Sequence, residues 1–385
     1  MASVKVEQLR KAYRDMEAVK GISFAVEDGE FFCLLGPPGA GKTTILRIIA
    51  GLERPDQGEV HLGGERVNDV PPMERDVAMI FEDPALYPHM TAYGNLAHPL
   101  RLRKLPKVEI HRKVQEVAEI LHIPHLLERR PDAFSGGERR RVAIGRALVR
   151  RPKVLLLDQP LTDLDAWLRQ EMTGELKRLQ REMGQTMIYA THDFEEAVTM
   201  ADRIMVMNEG VMEQLDTPEE VYDRPRSAFV ASFVGSPSMN LIPCQAELQD
   251  DSLVLSCAAF RLPITKGMGA DLTSRELLVG IRPEHVTVIA EAAPTPVLSP
   301  STLLRINSAE GTAEEGAGEE GISATVDIVQ PLGDEQIVDL SLKDGTVIKM
   351  IAPLELKLAR ADKLMVDFDQ GRLSLFDARS ERRIE

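Results

Sequence analysis

Short apolar runs without polar alternation punctuate the first half of the chain: Phe31-Phe32-Cys33-Leu34-Leu35, Val77-Ala78-Met79-Ile80-Phe81, Val154-Leu155-Leu156-Leu157 and Met187-Ile188-Tyr189-Ala190. Runs of this length and purity read as strands buried on both faces of a parallel sheet. Between them the period changes to that of a helix. Ile45, Ile48, Ile49 and Leu52 share one face and Gly51 suits a helix end, while Val114, Val117, Ala118, Leu121 and Leu126 do the same inside the charged stretch 107–130. The alternation predicts an α/β domain over residues 1–235 with a helical subdomain inserted at about 83–150. Its leading segment holds short β-type stretches, Val4-Lys5-Val6 and Ile22 to Val26, followed by the turn signal Asp28-Gly29. After Gly235-Ser236-Pro237-Ser238 the period becomes two, in Leu253-Val254-Leu255, Ile322 to Val329, Gln336 to Leu342 and Thr346 to Ile351. This predicts an all-β, barrel-type domain over 236–385. Residues 291–320, with Pro-Thr-Pro, Ser-Pro-Ser and a Glu/Gly-rich run, read as a disordered insertion in it.

The formal charge of −15 argues against nucleic acid as the main partner, because phosphate backbones reward a basic face. Cys33, Cys244 and Cys257 form neither a metal-ligand spacing nor an even disulfide framework, which points to a reducing compartment. The first residues lack the apolar core of a signal peptide, and no apolar run approaches a membrane span. If the protein works at a membrane, another subunit provides the crossing.

Chemistry enters at Gly36-Pro37-Pro38-Gly39-Ala40-Gly41-Lys42-Thr43-Thr44, which has the P-loop spacing between a buried strand and a helix. In such a loop backbone N–H groups wrap phosphates, Lys42 reaches the β/γ oxygens and the Thr43 hydroxyl ligates Mg²⁺. Asp158 closes a buried strand, where a carboxylate can hold Mg²⁺ through water. His192 leaves another strand at its carboxyl end, the side on which open α/β sheets bind ligands. Ser135-Gly136-Gly137-Glu138 has the form of a capping box, which suits an anion site and an ordinary capped helix equally. Tyr13 is either a surface aromatic or a platform for an adenine ring. The Pro-broken loop 82–91 carries Leu86, Tyr87 and Met90.

With the P-loop, the Ser-Gly-Gly helix start, the Asp-ended strand and the late histidine in this order, the chain resembles an ABC-transporter ATPase subunit. Within that family it is similar to the ATPases of carbohydrate importers of the maltose and glycerol-3-phosphate type. Ala85-Leu86-Tyr87-Pro88-His89-Met90-Thr91, Gly235-Ser236-Pro237-Ser238-Met239-Asn240 and Gly280-Ile281-Arg282-Pro283-Glu284-His285 carry that likeness. The resemblance implies a P-loop ATPase domain followed by an OB/TOBE-like regulatory barrel. It implies ATP and Mg²⁺, and two ATPase subunits closing on two nucleotides. Tyr13 would stack on adenine. Gly36 through Thr44 would hold phosphate, with Thr43, Asp158 and Glu82 at the metal. His192 would be the switch histidine. Ser135, Gly136, Gly137, Glu138 and Asp163 would serve the nucleotide shared with the partner. Integral-membrane permease subunits would dock near 82–91, with a periplasmic or lipoprotein solute-binding protein engaged indirectly. The chain would then be peripheral, on the cytoplasmic face of a bacterial inner membrane.

Two positions depart from the pattern. The family's glutamate after the Asp-ended strand is Gln159, and its glutamine after the preceding strand is Glu82; Phe134, Glu138 and Asp163 are milder departures. An amide cannot take the proton of an attacking water, and losing a positioned base costs about 10²–10⁴ in rate. Three accounts follow: a hydrolysis-impaired half of an ATPase heterodimer, a homodimer in which Glu82 compensates, or a Gln159 engineered to trap ATP. The first is the working expectation. The rival classes are a soluble ABC ATPase acting on DNA or the ribosome and a non-hydrolysing ATP-binding regulator. In every account nucleotide affinity rests on the unaltered loop. Calorimetry should therefore show clear Mg-ATP binding by the wild type and its loss in Lys42→Ala; equal binding by both would contradict the P-loop reading.

Overall fold

The computed structural model describes residues 2–83, 85–162, 164–249, 252–264, 275–291 and 321–384. The chain divides into two compact units, Met1–Asp223 and Arg224–Glu385.

In the first unit a six-stranded sheet runs Val211–Asp216, Arg203–Asn208, Phe31–Leu35, Thr186–Thr191, Val154–Asp158, Val77–Ile80. All neighbours are parallel except the edge pair Val211–Asp216 with Arg203–Asn208. The P-loop strand Phe31–Leu35 is interior, flanked by two strands that come more than 150 residues later. Loops from three neighbouring strands therefore meet at one carboxyl edge. A second, antiparallel sheet runs Met16–Val26, Val4–Tyr13, Gln57–Leu62, Glu65–Arg66. The helix Lys42–Ala50 joins both in one core: Ile45, Ile48 and Ile49 pack with Leu34, Leu156 and Ile188 of the first sheet and Val6, Phe24 and Val60 of the second. Phe24 and Phe32 stack between the sheets at 5.2 Å.

Between Val77–Ile80 and Val154–Asp158 lie three helices, Ala92–Leu102, Lys107–Ile120 and Gly136–Leu148. Two details differ from expectation. The strand stops at Ile80 and leaves Phe81 exposed, and the helix expected through Leu126 ends at Ile120, because Pro124 opens a separate 3₁₀ turn, Pro124–Leu126.

The second unit is mainly β: among the described residues, two five-stranded antiparallel sheets enclose one core that includes Ile242, Leu255, Val279, Val326, Val338, Leu340, Val366 and Phe368. It starts at Arg224, ahead of the expected boundary after 235. Helix Ala228–Phe233 buries Ala228 and Ala231 against Met239 and Phe376, and Ser227 pairs with Arg382. The strand Val286–Glu291 enters the segment expected to be an insertion; its remainder, 292–320, lies outside the described residues.

One buried cation holds the far end of the P-loop helix. Arg75, 5 % exposed, donates from Nη1 to the carbonyls of Ile48 and Ile49 at 2.7 and 2.9 Å, and from Nε to Val70 O at 2.8 Å. It thus caps Ile49 O and adds to the Gly51 N–H that already reaches Ile48 O at 3.0 Å, with its charge at the negative end of the helix dipole. Replacing it by methionine removes the side-chain donor from the Ile49 and Val70 carbonyls. Arg75→Met should cost about 3 kcal/mol of stability in urea denaturation; a change below about 0.5 kcal/mol would contradict the capping role.

Candidate functional site

The loop Gly36–Gly41 is shaped by close backbone approach. A Cβ on Gly36 would lie 2.3 Å from Met207 O and one on Gly41 2.4 Å from Ala18 O, so neither position admits a side chain. Gly41 also has φ +98°, a left-handed conformation that glycine adopts without strain. The loop is bonded on both sides, by Gly36 N–H to Thr191 O at 3.3 Å and by Gly210 N–H to Ala40 O at 3.2 Å. Pro38 and Gly39 form its exposed mouth; Pro37 and Thr44 are half-buried.

Lys42 is 4 % exposed, and its ammonium donates to Gly36 O at 2.6 Å and Pro37 O at 2.9 Å. Burial pulls its pKa down to about 8, against the opposing charge of Asp158. Thr43 Oγ1 donates to Asp158 Oδ1 at 3.0 Å. Burial raises the Asp158 pKa, the Thr43 hydrogen bond lowers it, and the Glu82 charge pushes it up again. Two oxygens about 3.0 Å apart have the separation of adjacent ligands around an octahedral Mg²⁺ with bonds of about 2.1 Å. A glycine cradle that excludes side chains, a buried ammonium and this oxygen pair fit a Mg²⁺-bound nucleotide phosphate. When bound, the metal neutralises phosphate charge, and this chain's Thr43 and Asp158 would hold it.

Gln159 follows Asp158 at φ +45°. Its N–H donates to Ala190 O at 2.9 Å and its carbonyl accepts the Thr162 hydroxyl at 3.1 Å, contacts that keep a non-glycine residue in this conformation. Its Oε1 lies 2.9 Å from His192 Nδ1. A carboxylate here would require a proton on Nδ1; an amide satisfies either tautomer by turning over, so the contact imposes no proton direction. Glu82 is exposed, and its backbone carbonyl is gripped by Arg140 Nη1 at 2.6 Å.

Ser135 caps helix Gly136–Leu148 in a complete capping box, with Glu138 N–H to Ser135 Oγ at 3.2 Å and Ser135 N–H to Glu138 Oε2 at 2.8 Å. The Ser135 amide lowers the Glu138 pKa, so this helix start carries a carboxylate. Ser135 and Gly136 are exposed, whereas Gly137 is buried, where a Cβ would lie 2.8 Å from a Leu168 methyl. Tyr13 pairs with Met16 at the end of the hairpin whose second strand supplies Ala18 to the loop, and the Lys11 ammonium stands 5.3 Å over its ring. Asp163 lies outside the described residues.

Several positioning residues escaped sequence reading. Asn95, fully buried, accepts from Tyr87 N–H at 2.8 Å and donates to Tyr87 O and Thr91 O, which fixes the 82–91 loop from behind. Arg146 donates to Ala85 O at 2.7 Å. Glu196, 7 % exposed, takes hydrogen bonds from Tyr189 and Thr191 at 2.7 and 2.8 Å beneath the strand end that delivers His192. These partners meet only through the fold.

These features define the class of protein as an ABC-type ATPase, and comparison with known proteins agrees. Family models match for "ABC transporter" over residues 19–162, "MalK OB fold domain" over 235–286 and "TOBE domain" over 279–376. The chain is 44 % identical over 388 residues to the trehalose/maltose import ATP-binding protein MalK of Thermococcus litoralis, covering 98 % of each. It is 43 % identical over 384 residues to the sn-glycerol-3-phosphate import ATP-binding protein UgpC of Cereibacter sphaeroides, covering 100 % of each. Similar solved structures include cbiO1 of Clostridium perfringens, part of the ABC transporter complex cbiONQ, with TM-score 0.54 and 32 % identity over 57 % of this chain and 89 % of that one. The ATP-binding cassette MJ0796, solved as a post-hydrolysis dimer with ADP and Pi, has TM-score 0.51 and 30 % identity over 56 % and 98 %. The chain belongs to the family of MalK/UgpC-type ATP-binding subunits of ABC importers. No helix among its described residues is long and apolar enough to cross a membrane.

The lowered Lys42 pKa has a measurable sign. The unfolded chain binds more protons than the empty folded loop between about pH 8 and the ordinary lysine range, so apo stability rises with pH across that window. An arriving phosphate raises the pKa again. Mg-ATP binding at pH 8 should therefore take up about half a proton, read from calorimetry in buffers of different ionisation enthalpy. Lys42→Arg should abolish the uptake. Binding by the wild type without buffer dependence at pH 8 would contradict the assignment.

Proposed function

We propose that this subunit drives an importer for a carbohydrate or polyol (sugar, sugar alcohol, glycerol or glycerol phosphate), and that its own ATP site is the slow half of an ATPase heterodimer. The solute class rests on the relatives, whose names specify trehalose/maltose and sn-glycerol-3-phosphate. The slow site rests on one observation, the Gln159–His192 contact at 2.9 Å beside Asp158. Gln159, which follows Asp158 in the chain and contacts His192, has no basic oxygen to accept a water proton.

In this reading Gly36 to Thr44 bind the phosphates, Tyr13 stacks on adenine, and Asp158 with Thr43 carries Mg²⁺. Ser135, Gly136 and Gly137 face the nucleotide held by a non-identical partner ATPase. That second site keeps a competent carboxylate and does most of the hydrolysis. The subunit works as a peripheral protein on the cytoplasmic face of the bacterial inner membrane, with ATPase residues 1–235 followed by a regulatory β-domain. Permease subunits dock at 82–91 and the solute-binding protein acts through them. Tyr87, 38 % exposed, supports the docking face: Asn95 holds the loop from behind, and Arg146 and His98 flank the ring. An exposed aromatic held this firmly is suited to receive a helix.

A second reading has its own observation. Glu82 lies near enough to Asp158 to raise the pKa of its carboxyl, so Glu82 is a rival base in a homodimer. Turnover of the reconstituted complex separates the two. The heterodimer reading expects Ser135→Arg to abolish hydrolysis, Gln159→Ala to change it less than about twofold, and Gln159→Glu to raise it. A large loss with Glu82→Gln, in a complex containing one kind of ATPase chain, would overturn it.

A further inference from the structure

Two cysteines of the β unit face each other across a pair of strands. Strand Asn240–Gln249 pairs antiparallel with Ser252–Ser256, with Gln245 opposite Ser256 and Ala246 opposite Leu255. The same register places Cys244 opposite Cys257. The backbone shows which kind of pair this is. Ala246 N–H is directed away from this neighbour, to Arg275 O, and Cys244, two residues earlier, pairs with Leu277 on that same side. Cys257 N–H is directed to Phe260 O, again away from Cys244. One step beyond the last ladder pair, Cys244 and Cys257 thus fall in a non-hydrogen-bonded position, for which the usual Cα separation is about 4.5 Å, inside the range a disulfide spans. Both are free thiols within hydrogen-bond reach of one another. They line an open cleft of about 580 Å³ whose wall also carries Glu276 and Asp344.

We propose that Cys244 and Cys257 are a reversible oxidation site, a dithiol that small disulfides entering this cleft convert to an intrachain cross-strand bond. The two sulfurs have different parts. Cys257 is half-buried and reachable, so its thiolate attacks one sulfur of the incoming disulfide and releases the first small thiol. Cys244 is 5 % exposed and burial pushes its thiol pKa well up, so it reacts second. It gives its proton to solvent, attacks the Cys257 sulfur and displaces the second small thiol. Two cysteine thiols become one disulfide, and one small disulfide becomes two thiols. The acidic wall favours a cationic disulfide over an anionic one. Cys33 is buried within the P-loop strand Phe31–Leu35 and takes no part.

The test uses the full chain with cystamine, followed by alkylation and mass spectrometry. The wild type should lose two alkylatable thiols and two hydrogens with no retained adduct, and dithiothreitol should restore both. Cys244→Ser should keep one cysteamine on Cys257, and Cys257→Ser should react at least tenfold more slowly. A wild type that retains one or two stable adducts, or whose three thiols all remain alkylatable, overturns the proposal. The wild-type mass decides the question even if a serine variant fails to fold.

Discussion

The site depends on a strand of backbone pressed between two carbonyls. Gly36 lies against Met207 O and Gly41 against Ala18 O, at distances that exclude even a methyl group. One carbonyl comes from the parallel sheet and the other from the antiparallel sheet, so the loop has its shape only once both are assembled. The core explains why they assemble: Ile45, Ile48 and Ile49 of the helix behind the loop are shared by the two sheets. Arg75 secures that helix at its far end. The phosphate site is thus a consequence of packing on three sides.

Charge is distributed in the site with the same economy. Lys42 is held on carbonyls rather than on a carboxylate, and burial lowers its pKa against the opposing charge of Asp158. Asp158, buried beside it, already resists ionisation, and Glu82 adds to that resistance. A glutamate at 159 would bring a further carboxylate next to them. Gln159 relieves the repulsion and keeps the contact with His192, but it gives up the proton acceptor. In the proposed reading, binding and hydrolysis thereby rest on separate residues, with this chain fully equipped only for the first.

Much of this was legible in the chain because it is local. Phe31–Leu35 and Val154–Asp158 are buried on both faces, so their apolar runs have no polar interruption, and the loop motif lies within nine residues. The capping box at Ser135 is equally local, and the pairing found is the one its spacing implies. What was missed joins residues far apart. Arg75 reaches carbonyls 26 and 27 positions away, and Arg140 reaches Glu82 across 58. Phe81 read as the end of a strand because an apolar residue extending an apolar run carries no mark of its exposure. The Cys244–Cys257 pairing needed the strand register, since thirteen positions of sequence suggest no framework.

The central claim is that the chain binds ATP without readily cleaving it. The most direct measurement is the chemical identity of the nucleotide recovered from the purified wild-type chain after prolonged incubation with labelled Mg-ATP at 25 °C. The account predicts intact ATP in the bound fraction, and ADP only after Gln159→Glu or addition of a competent partner ATPase. Recovery of ADP from the wild-type chain alone, in amounts matching an unaltered ABC ATPase, would contradict it.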